Sequence, residues 1–203
     1  MKSEYKNLIQ TGVYLKKSGY VKGSAGNLSL LLENGQIIAS PTNSDLGALT
    51  EETLSLLTSE GILLEGQKPS KEVPFHLAIY QNCTAKAVIH LHSTYLTALS
   101  CLSDLNPENV LKPFTPYAVM KAGTVPLIPY IKPGSLKIAE YTRCLCKKHK
   151  AMLLANHGII VTGSSIKEAL SIFEELEETA KLFWILRNEN IRYLTDDEIN
   201  ELT

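Results

Sequence analysis

Residues 87–92 read Ala-Val-Ile-His-Leu-His, and residues 153–161 read Leu-Leu-Ala-Asn-His-Gly-Ile-Ile-Val. The first stretch is apolar except at His90 and His92, and its β-branched content marks a strand. Residues two apart on a strand project from one face, so these two imidazoles turn toward one point. In the second stretch, apolar strands over Ala151 to Ala155 and Ile159 to Val161 flank Asn156-His157-Gly158, which sets His157 at a strand end. Three imidazoles meeting at one place suit a Zn²⁺ ion that keeps an open coordination position. The competing reading is a hydrogen-bonded structural histidine, the ordinary fate of a buried polar side chain. The His-x-His spacing is what moves His90 and His92 toward the ligand reading.

Outward from these strands, helices and strands interleave. Lys2 to Ser18 carries Tyr5, Leu8, Ile9, Val13 and Leu15 at amphipathic-helix spacing, closed by Gly19. Leu28 to Leu32 and Gln36 to Ser40, joined by Glu33-Asn34-Gly35, read as a hairpin. Leu54 to Leu57 and Ile62 to Leu64 read as a second strand pair. Lys71 to Asn82 reads as a helix with Pro74 in its first turn, where proline is tolerated. Ser93 to Cys101 and Ser135 to His149 read as further helices. Pro113 to Pro133 holds five prolines and reads as loop, with one extended piece at Val125 to Tyr130. Ile166 to Arg187 reads as a long amphipathic helix whose polar face bears Glu174, Glu175, Glu177, Glu178 and Lys181. The whole predicts one α/β domain over residues 1–203, with a mixed sheet covered by helices on both faces.

Composition narrows the function classes. The 203 residues are 44 % hydrophobic and 20 % charged, as in an ordinary globule with a sizeable core. Twenty Lys and Arg against 21 Asp and Glu give a net charge of −1, with no global signal for nucleic acid or an anionic membrane. No stretch approaches a membrane span, and the N-terminus lacks the apolar run of a signal peptide. A cytoplasmic protein is expected. Cys83, Cys101, Cys144 and Cys146 form no C-x-x-C pair and read as reduced, mostly buried thiols.

Glu72 sits where the Lys71 to Asn82 helix begins. An acidic residue there is either a partner of the helix dipole or an acid–base group turned toward the histidines. His76, one turn on, either orients that carboxylate or satisfies local hydrogen bonds. His149, in Lys-Lys-His-Lys, reads as solvated. Gly23-Ser24-Ala25-Gly26-Asn27, Ser40-Pro41-Thr42-Asn43 and the helix-opening Ser70-Lys71 have the small and polar residues that hold a phosphate. None matches a Walker loop or a dinucleotide fingerprint.

In order along the chain, GSAGNLSL, ASPTN, KPSKEVPFHLAIY, AVIHLHST, LLANHGIIV and EELEETAKLF resemble the class II aldolase/adducin family, from about Gly19 to Arg187. The resemblance implies a three-layer α/β/α fold with a mixed, largely antiparallel central sheet, assembled as a homotetramer. It implies one Zn²⁺ per subunit on His90, His92 and His157. Glu72 would be the catalytic group, and a metal ligand when no substrate is bound. Phosphate contacts carry over to Asn27, Thr42, Asn43, Ser70 and Lys71. On family grounds Tyr117 contributes to a neighbour's site. Relative to a fuculose-phosphate aldolase, Lys71 replaces a serine and Asn43 a glycine. Tyr95 stands where many members have histidine.

The phrases VKGSAGNLS, SPTNSDLGAL, GQKPSKE, TPYAVMKAG and VPLIPYIKPG resemble the branch that decarboxylates 3-oxo-tetronate 4-phosphate. That resemblance implies a phosphorylated four-carbon sugar-acid substrate, converted to dihydroxyacetone phosphate and CO₂ through a metal-stabilised enediolate. A sugar-phosphate aldolase, dehydratase or epimerase using the same site is the alternative. A metal-free, adducin-like interaction module is a third reading, opposed by the presence of all three histidines and Glu72.

Overall fold

The computed structural model describes residues 2–202. Eight strands form one sheet in the order β4-β3-β2-β1-β5-β8-β7-β6. They are β1 (Asn27–Leu31), β2 (Ile37–Ala39), β3 (Ser55–Leu57), β4 (Leu63–Glu65), β5 (Ala87–Leu91), β6 (Leu127–Ile128), β7 (Ala151–Leu154) and β8 (Gly158–Gly163). Every pairing is antiparallel except that of β6 with β7. The helices are α1 (Lys2–Lys17), α2 (Val73–Asn82), α3 (Thr94–Ser100), α4 (Pro116–Ala122), α5 (Leu136–Leu145), α6 (Ile166–Leu186) and α7 (Asp196–Asn200).

The alternation of side chains builds two cores. Leu28, Leu30, Ala87, Ile89, Leu91, Leu153, Ile159 and Val161 face one side, where α1, α3 and α6 pack. Val88, Met152, Leu154 and Ile160 face the other, against α2 and α5. Burial on both faces explains why β5, β7 and β8 are apolar apart from His90 and Thr162 rather than alternating with polar residues. Each fully buried Ile or Leu contributes about 1.5–3 kcal/mol. The result is the expected three-layer α/β/α arrangement.

Three expectations are corrected. The proline-rich stretch contains α4, because Pro116 occupies the first turn behind Thr115 and Gly123 ends the helix at φ 67°. Proline is pre-organised for a first helical turn and glycine for a helix end, so the same residues that suggested loop delimit a helix. Among the cysteines only Cys146 is buried; Cys83 is half-buried and Cys101 and Cys144 are exposed. Glu177, expected on the polar face of α6 with its acidic neighbours, is buried at 5 % exposure.

Candidate functional site

The strand registers bring the histidines together. β5 runs antiparallel to β8, with His90 opposite Ile160 and Leu91 opposite Ile159, so the end of β5 lies beside the start of β8. His92 follows β5 and His157 precedes β8. His157 is delivered by a tight reversal from β7, in which Asn156 takes a left-handed φ of 55° that asparagine tolerates. Ser100 at the end of α3 holds this turn: its carbonyl accepts from the Asn156 N–H at 2.9 Å and its hydroxyl from the His157 N–H at 3.2 Å. Gly158 is required here, since a Cβ would lie 2.4 Å from the Leu91 carbonyl oxygen and 3.0 Å from the His92 ring.

One ring nitrogen from each of His90, His92 and His157 falls within 4.8 Å of the others. His90 Nδ1 lies 2.9 Å from the Ile159 carbonyl oxygen. A carbonyl only accepts, so Nδ1 carries the hydrogen and Nε2 presents its lone pair to the cluster. His92 Nε2 is 3.1 Å from His90 Nε2. Burial holds all three imidazoles below the ordinary histidine range, and for His90 the neighbouring rings add to the effect. Neutral imidazole is the form that ligates a metal.

Glu72 completes the cluster from the other side. It is the N-cap residue of α2, buried at 7 % exposure, and its N–H donates to Ser70 Oγ at 3.2 Å. Its Oε2 lies 3.4 Å from His90 Nε2 and its Oε1 3.6 Å from His157 Nε2. Glu72 Oε1 and His157 Nδ1 are buried with no hydrogen-bond partner. Two nitrogens in contact beside an orphaned carboxylate oxygen are an unfavourable set on their own and a suitable one for a divalent cation. The residues present therefore fit the metal that the resemblance implies.

The remaining expected site residues come from the same rim of the sheet. Asn27 pairs across the strands with His90. Thr42 follows β2, and its N–H donates to the Lys68 carbonyl while Pro41 bridges Pro69, so residues 41–43 run beside 68–71. Asn43 has φ 56°, a conformation that glycine adopts most easily. Lys71 lays its side-chain stem against Gly134, and its charge helps keep His157 neutral. Asn27, expected to hold phosphate, donates one Nδ2 hydrogen to Glu72 and turns Oδ1 to His76, which leaves its second Nδ2 hydrogen for a further acceptor. Tyr117 is 59 % exposed on α4 and makes no hydrogen bond to the cluster among the described residues. His149 is half-buried and meets Thr124, away from the cluster. A cavity of about 520 Å³, lined by Cys83, Lys148, Ser164 and Glu168 among others, opens at the far end of β8 and does not include the histidines.

Glu177 is a site-supporting residue that sequence reasoning missed. From α6 its carboxylate accepts from Ser93 Oγ at 2.7 Å and from the N–H groups of Tyr95 and Leu96, both at 3.0 Å. Trp184 Nε1 donates to the Tyr95 carbonyl at 3.2 Å. α6 thus pins the start of α3, the residues immediately after His92, and Glu177 serves the orphan N–H groups that a helix start exposes. Glu177→Ala should destabilise the protein by about 2–4 kcal/mol, since hydrogen bonds to charged groups contribute about 1.5–3 kcal/mol each and do not add fully. Urea unfolding of the metal-free protein measures this, and a loss under about 0.5 kcal/mol, the range of ordinary surface changes, would remove the anchoring role.

Comparison with known proteins agrees with this geometry. Residues 6–184 match the family described as the class II aldolase and adducin N-terminal domain. The 3-oxo-tetronate 4-phosphate decarboxylase of Haemophilus influenzae is 54 % identical over 196 residues, covering 96 % of this chain and 93 % of that one. An L-fuculose phosphate aldolase of Methanococcus maripaludis is 37 % identical over 185 residues, covering 90 % of this chain and 97 % of that one. The crystal structure of YgbL from Klebsiella pneumoniae superposes with a TM-score of 0.97 at 51 % identity, covering 100 % of this chain and 98 % of that one. With its fold, its motifs and nearly its whole length accounted for, the chain belongs to the class II aldolase and adducin N-terminal domain family.

Proposed function

We propose that this chain decarboxylates 3-oxo-tetronate 4-phosphate to dihydroxyacetone phosphate and CO₂, with one Zn²⁺ per subunit. The observation that carries the reading is the convergence of three neutral imidazoles on a buried carboxylate with one unpartnered oxygen. It is supported by the 54 % identity to a relative of that name over nearly the full chain. Nitrogen ligands with room for a further donor favour zinc.

When bound, the ion supplies Lewis acidity for negative charge developing on substrate oxygen, commonly worth several kcal/mol. Burial holds His90, His92 and His157 neutral for it, and the Ile159 carbonyl orients the His90 ring. Loss of CO₂ from C1 leaves an electron pair at C2 conjugated with the C3 carbonyl. Glu72 delivers a proton to C2, completing the hydroxymethyl group of the product, and regains it from solvent. Thr42, Asn43, Ser70 and Lys71 grip the phosphate end, with Lys71 supplying positive charge to an anionic substrate. The proposal includes a cytoplasmic homotetramer in which the exposed Tyr117 reaches a neighbour's site.

The test offers zinc-loaded protein 3-oxo-tetronate 4-phosphate and, in parallel, L-fuculose 1-phosphate. The first substrate is expected to turn over at least about 100-fold faster in kcat/KM, about 2.7 kcal/mol of transition-state preference. Cleavage of the second with no CO₂ from the first would replace this reading with the aldolase.

A further inference from the structure

Beneath Glu72 runs a buried chain of polar side chains that the reaction itself does not use. Asn27 Nδ2 donates to Glu72 Oε2 at 2.8 Å. Asn27 Oδ1 lies 2.6 Å from His76 Nε2, His76 Nδ1 lies 2.6 Å from Ser29 Oγ, and Ser29 Oγ lies 2.6 Å from the Tyr80 hydroxyl. Ser29 is fully buried, His76 is 1 % exposed and Asn27 4 %. Asn27 and Ser29 are alternate residues of β1, and His76 and Tyr80 are one turn apart on α2, so strand and helix periodicity place all four in one row.

The direction of every hydrogen bond in the row is determined. Asn27 donates through its amide nitrogen to Glu72 and so turns its amide oxygen to His76. An amide oxygen only accepts, so His76 Nε2 carries the hydrogen. Burial keeps His76 neutral, so Nδ1 is a bare lone pair and Ser29 donates to it. Ser29 then has a lone pair for the Tyr80 hydroxyl. In the reversed order the Tyr80 proton would face Ser29's own donor hydrogen, with no other acceptor among the described hydrogen bonds.

We infer that Ser29, His76 and Tyr80 are positioning residues that lock the Asn27 amide and thereby confine the acid–base proton of Glu72 to Oε1. Oε2 is occupied as an acceptor from Asn27, while Oε1 has no hydrogen-bond partner and faces the histidine cluster at 3.6 Å from His157 Nε2. With the amide flipped, Asn27 Oδ1 would instead accept the proton from Oε2, the oxygen that lies 3.4 Å from His90 Nε2. The row therefore selects the oxygen from which the proton is delivered. The inference rests on the proposed role of Glu72.

Five variants test it with zinc-loaded protein and 3-oxo-tetronate 4-phosphate, alongside metal stoichiometry and thermal unfolding. His76→Leu should lower kcat at least tenfold with KM and bound zinc unchanged. His76→Gln, whose amide nitrogen can still donate to Asn27, should recover most of that loss. Combining His76→Leu with Glu72→Gln should add less than twofold to the defect of Glu72→Gln alone. Should His76→Leu fail to fold, Ser29→Ala serves in its place, with an expected severalfold loss of kcat at constant KM. A kcat within twofold of wild type in the folded variant, while Glu72→Gln is slow, would overturn the positioning role alone. Full activity of Glu72→Gln would overturn the role of Glu72 and the inference with it. Equal losses in the wild-type and Glu72→Gln backgrounds would show that His76 acts elsewhere, which also overturns it.

Discussion

Glu72→Gln lowers kcat by about 10²–10⁴-fold, the range general acid–base groups commonly supply, while the protein keeps its fold and its metal. The substitution is nearly isosteric, so the packing of the α2 N-terminus is retained. The amide oxygen of the substituted side chain can still accept from Asn27. The three histidines stay in place, because β5, β8 and the turn at Asn156 hold them independently of Glu72. What disappears is the group that exchanges a proton at the position of Oε1. Steady-state kinetics with parallel circular dichroism and metal analysis measure the effect. A kcat within threefold of the parent protein would remove Glu72 from the chemistry.

His92→Ala has the other large effect, through the metal. His92 Nε2 sits 3.1 Å from His90 Nε2, at the centre of the cluster. Substituting a group that merely orients a ligand commonly costs 10–100-fold in metal affinity, so deletion of a ligand should cost more than about 100-fold. Bound metal after dialysis should fall well below one per chain, and turnover should fall with it. His92 is only half-buried, so the protein should remain folded. Stoichiometric metal with full turnover would show that the ligand set is wrong.

The parts of the site that are legible in sequence are those whose geometry is local. The spacing of His90 and His92 contains their convergence, because strand periodicity places both on one face. His157 is legible as the end of an apolar run before glycine. The position of Glu72 at a helix start is local too, but the direction it faces is not, since that depends on how α2 lies against β1 and β5. Asn27 shows the limit most clearly. Its neighbours in sequence are small and polar, which suggests phosphate, but nothing local shows that its partner across the sheet is His90 or that its amide also meets Glu72 and His76. Those contacts follow from register, a non-local property.

Glu177 escapes a sequence reading for a similar reason. Helical periodicity identifies the acidic side of α6 but not that the start of α3 packs on part of it. α4 is hidden by composition, although Thr115-Pro116 and Gly123 are themselves start and stop signals. The capping box of Thr195 and Glu198 that opens α7 is a local signal of the same kind. For the cysteines the helix face matters more than the residue type, since Cys144 and Cys146 are two apart on and just past α5 and differ in exposure.

The most direct measurement follows CO₂ and dihydroxyacetone phosphate together during turnover of 3-oxo-tetronate 4-phosphate by the zinc-loaded protein, with and without a chelator. The account predicts the two products in a one-to-one ratio, each equal to substrate consumed, and loss of both on chelation with return on adding zinc. Substrate left intact by metal-loaded protein, or dihydroxyacetone phosphate formed without CO₂, would contradict it.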